Sequence, residues 1–340
     1  VNFIVNNILF KNISNFKLPR EILSSPPLVS VMIPARNEEK NIRRVLNSIR
    51  KQDYRNLEIL VLDDNSTDAT GEIVEELAKR DSRIRLVEGK PLPAGWKGKC
   101  FACHQLSKIA KGDYFVFTDA DTLHYPNSVS GSFAALLKNN LDVTSVYPRQ
   151  IAVTLSERMS VRFIHFMILS FMPLILVRHA KGPFFSTAIG QFFLFKREAY
   201  EKTGGFESVK DEILEDINMS KQVKRCGLKI MVYDGSNSIF CRMFTNLRDV
   251  VKGFSRFIYA AFDCNFLIEF IAVSFIVLIF LVPFILLPLG IFVFDWPAKI
   301  ISINIIQIFL IFAIKFILAI RFKERILDVF LTPLSTAFIY

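Results

Sequence analysis

Val29-Ser30-Val31-Met32-Ile33 runs into Pro34-Ala35-Arg36-Asn37-Glu38, and the pattern returns as Leu57-Glu58-Ile59-Leu60-Val61-Leu62 ahead of Asp63-Asp64-Asn65-Ser66-Thr67-Asp68. Each is a short apolar run closed by polar, turn-forming residues, which reads as a buried strand. Between them, Glu39 to Lys51 has helical spacing, with Ile42, Val45, Leu46 and Ile49 on one face. The alternation continues outward. Asp68 to Arg80 reads as a helix, Arg83 to Val87 as a third strand, Gly98 to Ala110 as a helix and Tyr114 to Thr118 as a fourth strand. Strands alternating with helices predict an α/β fold with a doubly wound, mostly parallel sheet. Ligands of such sheets bind beyond the carboxyl ends of the strands.

The chemistry is therefore sought at those ends. The first, Pro34 to Glu38, is no Gly-rich phosphate loop, so dinucleotide and P-loop readings lose support. The second offers acids and amides that accept hydrogen bonds from a base or ribose, or else cap a helix through Thr67 or Asp68. The fourth ends in Asp119-Ala120-Asp121. Two carboxylates one residue apart, just past a buried strand, approach one hard cation such as magnesium or manganese. A metal there offsets charge on a leaving diphosphate. Further on, Glu215-Asp216 precedes the helical run Ile217 to Arg225. It suits a general base or, equally, a first-turn pair complementing the helix dipole.

In this order the pieces resemble the family-2 inverting glycosyltransferases with a GT-A fold, over roughly residues 28–257. The resemblance implies that Pro34, Ala35, Arg36, Asn37, Glu38 and Asp64 belong to a nucleotide-sugar site. Asp119 and Asp121 become the metal and diphosphate motif, and Asp216, preceded by Glu215, falls on the catalytic base position. Gly190 to Phe195 with Gly204-Gly205-Phe206 matches the acceptor side. Pro93-Ala94-Gly95-Trp96-Lys97-Gly98-Lys99 looks like membrane-bound members associated with hopanoid and carotenoid pathways, and Arg242-Met243-Phe244 with Gly253-Phe254 fits the same branch. Lys99 is expected to contact the diphosphate. The Gln-X-X-Arg-Trp motif of processive synthases is replaced by Ile239-Phe240-Cys241-Arg242-Met243. The implied reaction moves a sugar from a UDP-linked donor to a lipid or isoprenoid-type acceptor. A polyprenyl-phosphate sugar synthase and a non-catalytic scaffold with a degenerate nucleotide-binding domain are the rivals.

Composition sets the surroundings. The 340 residues carry 42 Lys and Arg against 32 Asp and Glu, a formal charge of +10. No basic stripe interleaves with aromatics, so nucleic acid is not expected as a partner, and a lipid surface is. The five cysteines, Cys100, Cys103, Cys226, Cys241 and Cys264, form no disulfide framework. Cys100-Phe101-Ala102-Cys103-His104 matches a haem-attachment pattern, but inside an expected helix of a cytosolic domain. His124, His165 and His179 read as structural or interfacial.

Val161 to Val177, broken by Pro173 and flanked by arginines, reads as an interfacial helix, with a buried core helix as the alternative. Residues 266–294 and 300–320 reach spanning length, and a third apolar segment starts near Asp328. Arg321, Lys323 and Arg325 place that end in the cytosol by the positive-inside rule. The expected organisation is a leader over 1–27 (Val1 to Phe10 being the tail of a membrane helix or an interfacial turn), a GT-A domain over 28–262 and a transmembrane region over 263–340. That makes a multi-pass protein of the cell membrane with its catalytic domain facing the cytoplasm.

Overall fold

The structure is a computed structural model that describes residues 1–261 and 265–339. The chain divides into two compact units. One comprises residues 1–151 and 172–242, the other residues 152–171 and 243–340. The expected boundary at 262/263 and Cys264 fall outside the described residues.

The first unit is built on eight strands: β1 (Val29–Ala35), β2 (Leu57–Asp63), β3 (Ile84–Glu88), β4 (Tyr114–Thr118), β5 (Thr122–His124), β6 (Val143–Gln150), β7 (Phe192–Lys196) and β8 (Ile230–Cys241). Their order is β3-β2-β1-β4-β7-β6-β8-β5. The first four strands pair in parallel, as their alternation with helices predicts. β7 then enters antiparallel between β4 and β6, β8 runs parallel to β6, and β5 closes the edge antiparallel to β8. The sheet is mixed, with parallel pairings in the majority.

β1 and β2 read as nearly unbroken apolar runs because helices cover both faces of the sheet. Val31, Met32, Ile33, Ile59, Leu60 and Val61 are buried. One face of helix Ile42–Arg50 buries Ile42, Val45, Leu46 and Ile49. On the other side of the layer a ring cluster fills the core, with Phe117 4.9 Å from Phe206 and 5.4 Å from Tyr200 between centroids. Such pairs add about 0.5–1.5 kcal/mol each beyond the area they bury. They seat the carboxyl end of β4 firmly.

In the second unit, the charges are held by partners. Arg158 grips both carboxylate oxygens of Asp328 at 3.0–3.1 Å through Nε, and Arg162 pairs with the same carboxylate. His165 stacks on Phe322 with centroids 4.0 Å apart. Gly253 lacks a side chain because the Phe244 ring lies where a Cβ would sit, 2.4 Å away.

The apolar segments differ from their sequence reading in two places. Residues 161–177 are not one helix. Phe163–Phe171 ends at Met172-Pro173, and Leu174–His179 starts anew, because proline cannot continue the hydrogen-bond ladder. Residues 266–294 are likewise split into Phe266–Phe280 and Val282–Phe292, with Pro283 at the restart. Among the described residues one helix, Ala298–Arg321, is by itself long and apolar enough to cross a membrane, or two spans exist if the bent pair Leu247–Ala261 and Phe266–Phe280 counts as one. Its 24 residues make a rod of about 36 Å.

Candidate active site

The loops after β1 and β2 are clamped together. Asn37 and Asn65 both have φ of 56°, the left-handed region that asparagine tolerates. Asn37 Oδ1 accepts the Thr67 N–H at 2.8 Å, and Ser66 Oγ accepts the Asn37 N–H at 3.0 Å. The Glu38 N–H donates to Thr70 Oγ1 at 2.8 Å. Asp68 accepts the Thr70 N–H and hydroxyl and the Glu39 N–H. Asp68 is thus occupied by the turn into helix Thr70–Ala78. Asp64 is not: it faces a cleft of about 350 Å³, with Arg36 Nη1 at 3.7 Å from its Oδ2.

That cleft lies over the strand ends. Pro34, Ala35, Arg36, Glu38 and Asp64 line one side, and Lys99, Asp119 and Asp121 the other. Of the residues expected at a nucleotide site, Asn37 alone is absent from the lining. Its side chain is spent on bracing the loops.

Lys99 stands in the first turn of helix Gly98–Ile109. Its Nζ lies 2.7 Å from Asp119 Oδ1 and 3.0 Å from Glu215 Oε1. Burial opposes the ammonium charge, but the Asp119 and Glu215 carboxylates outweigh it and hold Lys99 protonated well above the usual lysine range. The lysine joins two acidic pairs that are nearly a hundred residues apart. Glu215-Asp216 lies inside the first turn of helix Glu215–Arg225, not in a break before it. A deeper pocket continues from Lys99 and Asp119 to Gly190, Glu215 and Asp216.

Asp216 accepts N–H groups of Gly190 and Ile217, both at 2.8 Å. Burial, reinforced by Glu215, pushes its carboxyl up to about 7 against the pull of Lys99 and these N–H groups. A carboxyl poised near neutrality suits proton acceptance. Burial, Asp119 and Glu38 likewise push Asp121 up to about 7. Its Oδ1 is buried without a hydrogen-bond partner. An orphaned carboxylate oxygen beside a second carboxylate suits a divalent cation.

The turn bearing these acids is held by a buried polar network. Thr118 Oγ1 and Thr122 Oγ1 lie 3.1 and 2.9 Å from His124 Nε2, and Ser128 Oγ is 3.1 Å from His124 Nδ1. Burial drives His124 down to about 3, so the ring is neutral. Two neighbours escaped the sequence reading. Cys241 hydrogen-bonds Asp121, and Gln191 Nε2 donates to Cys241 Sγ at 3.0 Å. The pairing of Thr122 with Cys241 brings the thiol there, a contact across about 120 residues with no local signal. Cys100 and Cys103 are buried and unbridged in their helix.

The profile of Glycosyl transferase family 2 matches residues 30–204. A 4,4'-diaponeurosporenoate glycosyltransferase of Staphylococcus haemolyticus is 26% identical over 67% of this chain and 60% of its own length. A Bacillus subtilis protein named "Probable glycosyltransferase YdaM" is 31% identical over 63% of this chain and 50% of its own. The chain thus spans only half to three-fifths of these relatives. Among solved structures, a mannosyltransferase from Pyrobaculum calidifontis, in complex with GDP-Man and Mn2+, superposes with a TM-score of 0.52 at 21% identity. It covers 76% of this chain and 70% of that one, and it shares the GT-A fold.

Gly190 supplies a direct test of the lysine bridge. A Cβ there would stand 3.1 Å from Lys99 Nζ and 3.4 Å from Glu215 Oε1. Gly190→Ala is expected to displace the ammonium by a few tenths of an ångström, and misplacement near the chemistry costs up to about a hundredfold in turnover. The unfolding temperature should hardly move, since φ at this position is not in the left-handed region. Sugar-transfer rate and unfolding temperature, measured on one preparation, check this; unaltered transfer would count against the bridge.

Proposed function

Because the chain belongs to glycosyl transferase family 2, we propose that it is a membrane-anchored inverting transferase that moves a sugar from a nucleotide-sugar, UDP-linked, to a lipid or isoprenoid-type acceptor. One observation carries the reading: Asp119-Asp121 and Glu215-Asp216 meet across Lys99 in a single cleft over the strand ends. A scaffold with a degenerate site has no need of a buried, mutually repelling set of acids.

The roles follow from position. Pro34, Ala35, Arg36, Glu38 and Asp64 cradle the nucleoside. Asp119 and Asp121 hold a divalent metal, manganese or magnesium, whose charge stabilises the leaving diphosphate when bound. Among the described residues, no three His, Cys, Asp or Glu side chains form a cage of their own. A cation held by these two carboxylates would leave positions for the donor's phosphate oxygens, a common arrangement for magnesium. Lys99 contacts the diphosphate as a point charge. Asp216 takes the proton of an acceptor hydroxyl as its oxygen attacks the anomeric carbon, and Glu215 keeps Lys99 in reach. The near-neutral poise of Asp216 favours a hydroxyl acceptor over a phosphate, which arrives ionised and needs no base.

The membrane supplies the acceptor. Phe292 and Phe309 are 82% and 68% exposed, along with many neighbours on the apolar helices. Apolar surface on this scale marks a lipid or protein contact. In this reading Ala298–Arg321 crosses the bilayer, and Arg321, Lys323 and Arg325 argue for a cytosolic end there.

Three outcomes are expected. Asp216→Asn keeps the shape and removes the basic site, so transfer should fall about a hundred- to ten-thousand-fold with donor affinity retained. In the wild type, activity should decline as pH drops through about 7, because the base gains its proton there. If Asp216 only favoured the helix dipole, its loss would cost about 0.3–1 kcal/mol of stability and leave turnover near normal. Secondly, Asp121→Ala, or EDTA on the wild type, should abolish transfer, and manganese should restore only the wild type. Full activity in EDTA would remove the metal role. Thirdly, single cysteines probed from outside intact cells should label near residues 295–299 and not near Glu324. Equal labelling would refute that orientation.

A further inference from the structure

The catalytic unit carries two apolar segments that lack acids. From Arg158 to Arg197 the chain contains no Asp or Glu, and none occurs from Val1 to Arg20. These two stretches meet within the first unit. Asn6 Nδ2 donates to the Met172 carbonyl at 2.6 Å, and Asn6 Oδ1 accepts the Leu174 N–H at 2.9 Å. Helix Asn2–Leu9 is thereby fixed to the start of Leu174–His179. Ile4 and Ile8, one turn apart, point outward, as does Ile175. Beyond them come Arg178 and Lys181, both exposed, and Phe184, which is 85% exposed and meets Phe185 edge-on.

The segment bearing Phe184 is stapled to helix Glu215–Arg225 along a single face. Lys224 Nζ donates to the Ala180 carbonyl at 2.6 Å, Ser220 Oγ to the Thr187 carbonyl at 3.3 Å, and the Gly190 N–H to Asp216 at 2.8 Å. Positions 216, 220 and 224 are spaced four apart, so they line one side of the helix. Phe184 and Gly190 are six positions apart, at most about 20 Å of extended chain. The tip is thus tied to the acid at the head of that helix.

We propose that Lys181–Phe185, with the outward side of helix Asn2–Leu9, docks on an anionic lipid surface, Phe184 inserting among the acyl chains and Arg178 and Lys181 meeting lipid phosphates. Docking sets the height of Asp216 above the lipid, so that an acceptor group need rise only a short way to meet it. This catalytic consequence rests on the transferase reading; the docking does not. The charge pattern, with the apolar residues beside it, selects the partner. An acidic protein partner would also welcome the bases, but exposed Ile4, Ile8, Ile175 and Phe184 beside them match the acyl layer beneath a layer of phosphates, and each basic residue near an anionic bilayer favours the docked state roughly fivefold.

The test uses the full chain in nanodiscs of phosphatidylcholine with or without phosphatidylglycerol. An environment-sensitive fluorophore is placed at Phe184→Cys and, as a control, at the exposed Lys79→Cys, in the Arg and Lys background and with Arg178→Gln and Lys181→Gln. At 184 the label should be quenched by doxyl-labelled lipid and shielded from aqueous iodide, as expected for a side chain about 5–10 Å into the interface. The label at 79 should show the reverse. Removing both bases should shift docking toward the free state by up to about 25-fold, most visibly with phosphatidylglycerol present. Iodide quenching at 184 as strong as at 79 would overturn the proposal. So would shielding from iodide without doxyl quenching, which would mean that a second copy of the chain covers the face. None of these readings depends on transfer activity, so they stand apart from the fate of the proposed reaction.

Discussion

One ammonium holds the cleft together. Remove Lys99, and Asp119, Asp121, Glu215 and Asp216 face one another in a partly dry pocket without the ammonium that pairs with both Asp119 and Glu215. Like charges so placed cannot all stay ionised, and even with the lysine present burial first, then the neighbouring acids, keep the carboxyls of Asp121 and Asp216 raised. The sheet order makes this unavoidable. β4 and β7 are neighbours, so the turn after β4 and the approach to β7 converge on one spot. Gly190 marks how tight that spot is, since even one methyl group would press on the ion pair.

Much of this was legible in the chain because it is local. β1 to β4 announce themselves as apolar runs between turn residues, and their helices carry a single periodic face. The Asp-X-Asp after β4 is notable only because of the strand before it. The distinction between Asp64 and Asp68 was available through the family resemblance, which picks out Asp64, and not through the loop's own composition. Both are acids in one polar loop, and what separates them is which one the neighbouring loop engages. Cys241 beside Asp121 was hidden, because β8 reaches β5 by long-range pairing. Fragmentation of the apolar segments was foreshadowed by Pro173 and Pro283, yet hydropathy windows average over such breaks.

The second unit shows how an apolar assembly tolerates charge. Asp328 answers both Arg158 and Arg162, and such a buried triad is weak evidence for stability but fixes which helices lie together. Lys315 instead rests over the Phe166 ring, 4.9 Å from its centroid. A ring face attracts a cation without bringing a counter-charge into the lipid-like interior.

The His124 network has a consequence of a different kind. Its imidazole is caught among two threonine hydroxyls and a serine, with no carboxylate to welcome a proton. In the unfolded chain the same ring titrates near 6.5, whereas in the fold it resists until about 3. The unfolded state therefore binds a proton first as the medium acidifies. Stability is complete above the unfolded value and drains away as pH falls from there toward the folded one. The histidine thus works as an acid fuse under the turn carrying Asp119 and Asp121. In acid, the strain falls on the hinge of the cleft itself, while the parallel strands beneath contain no such ring and have no reason to yield.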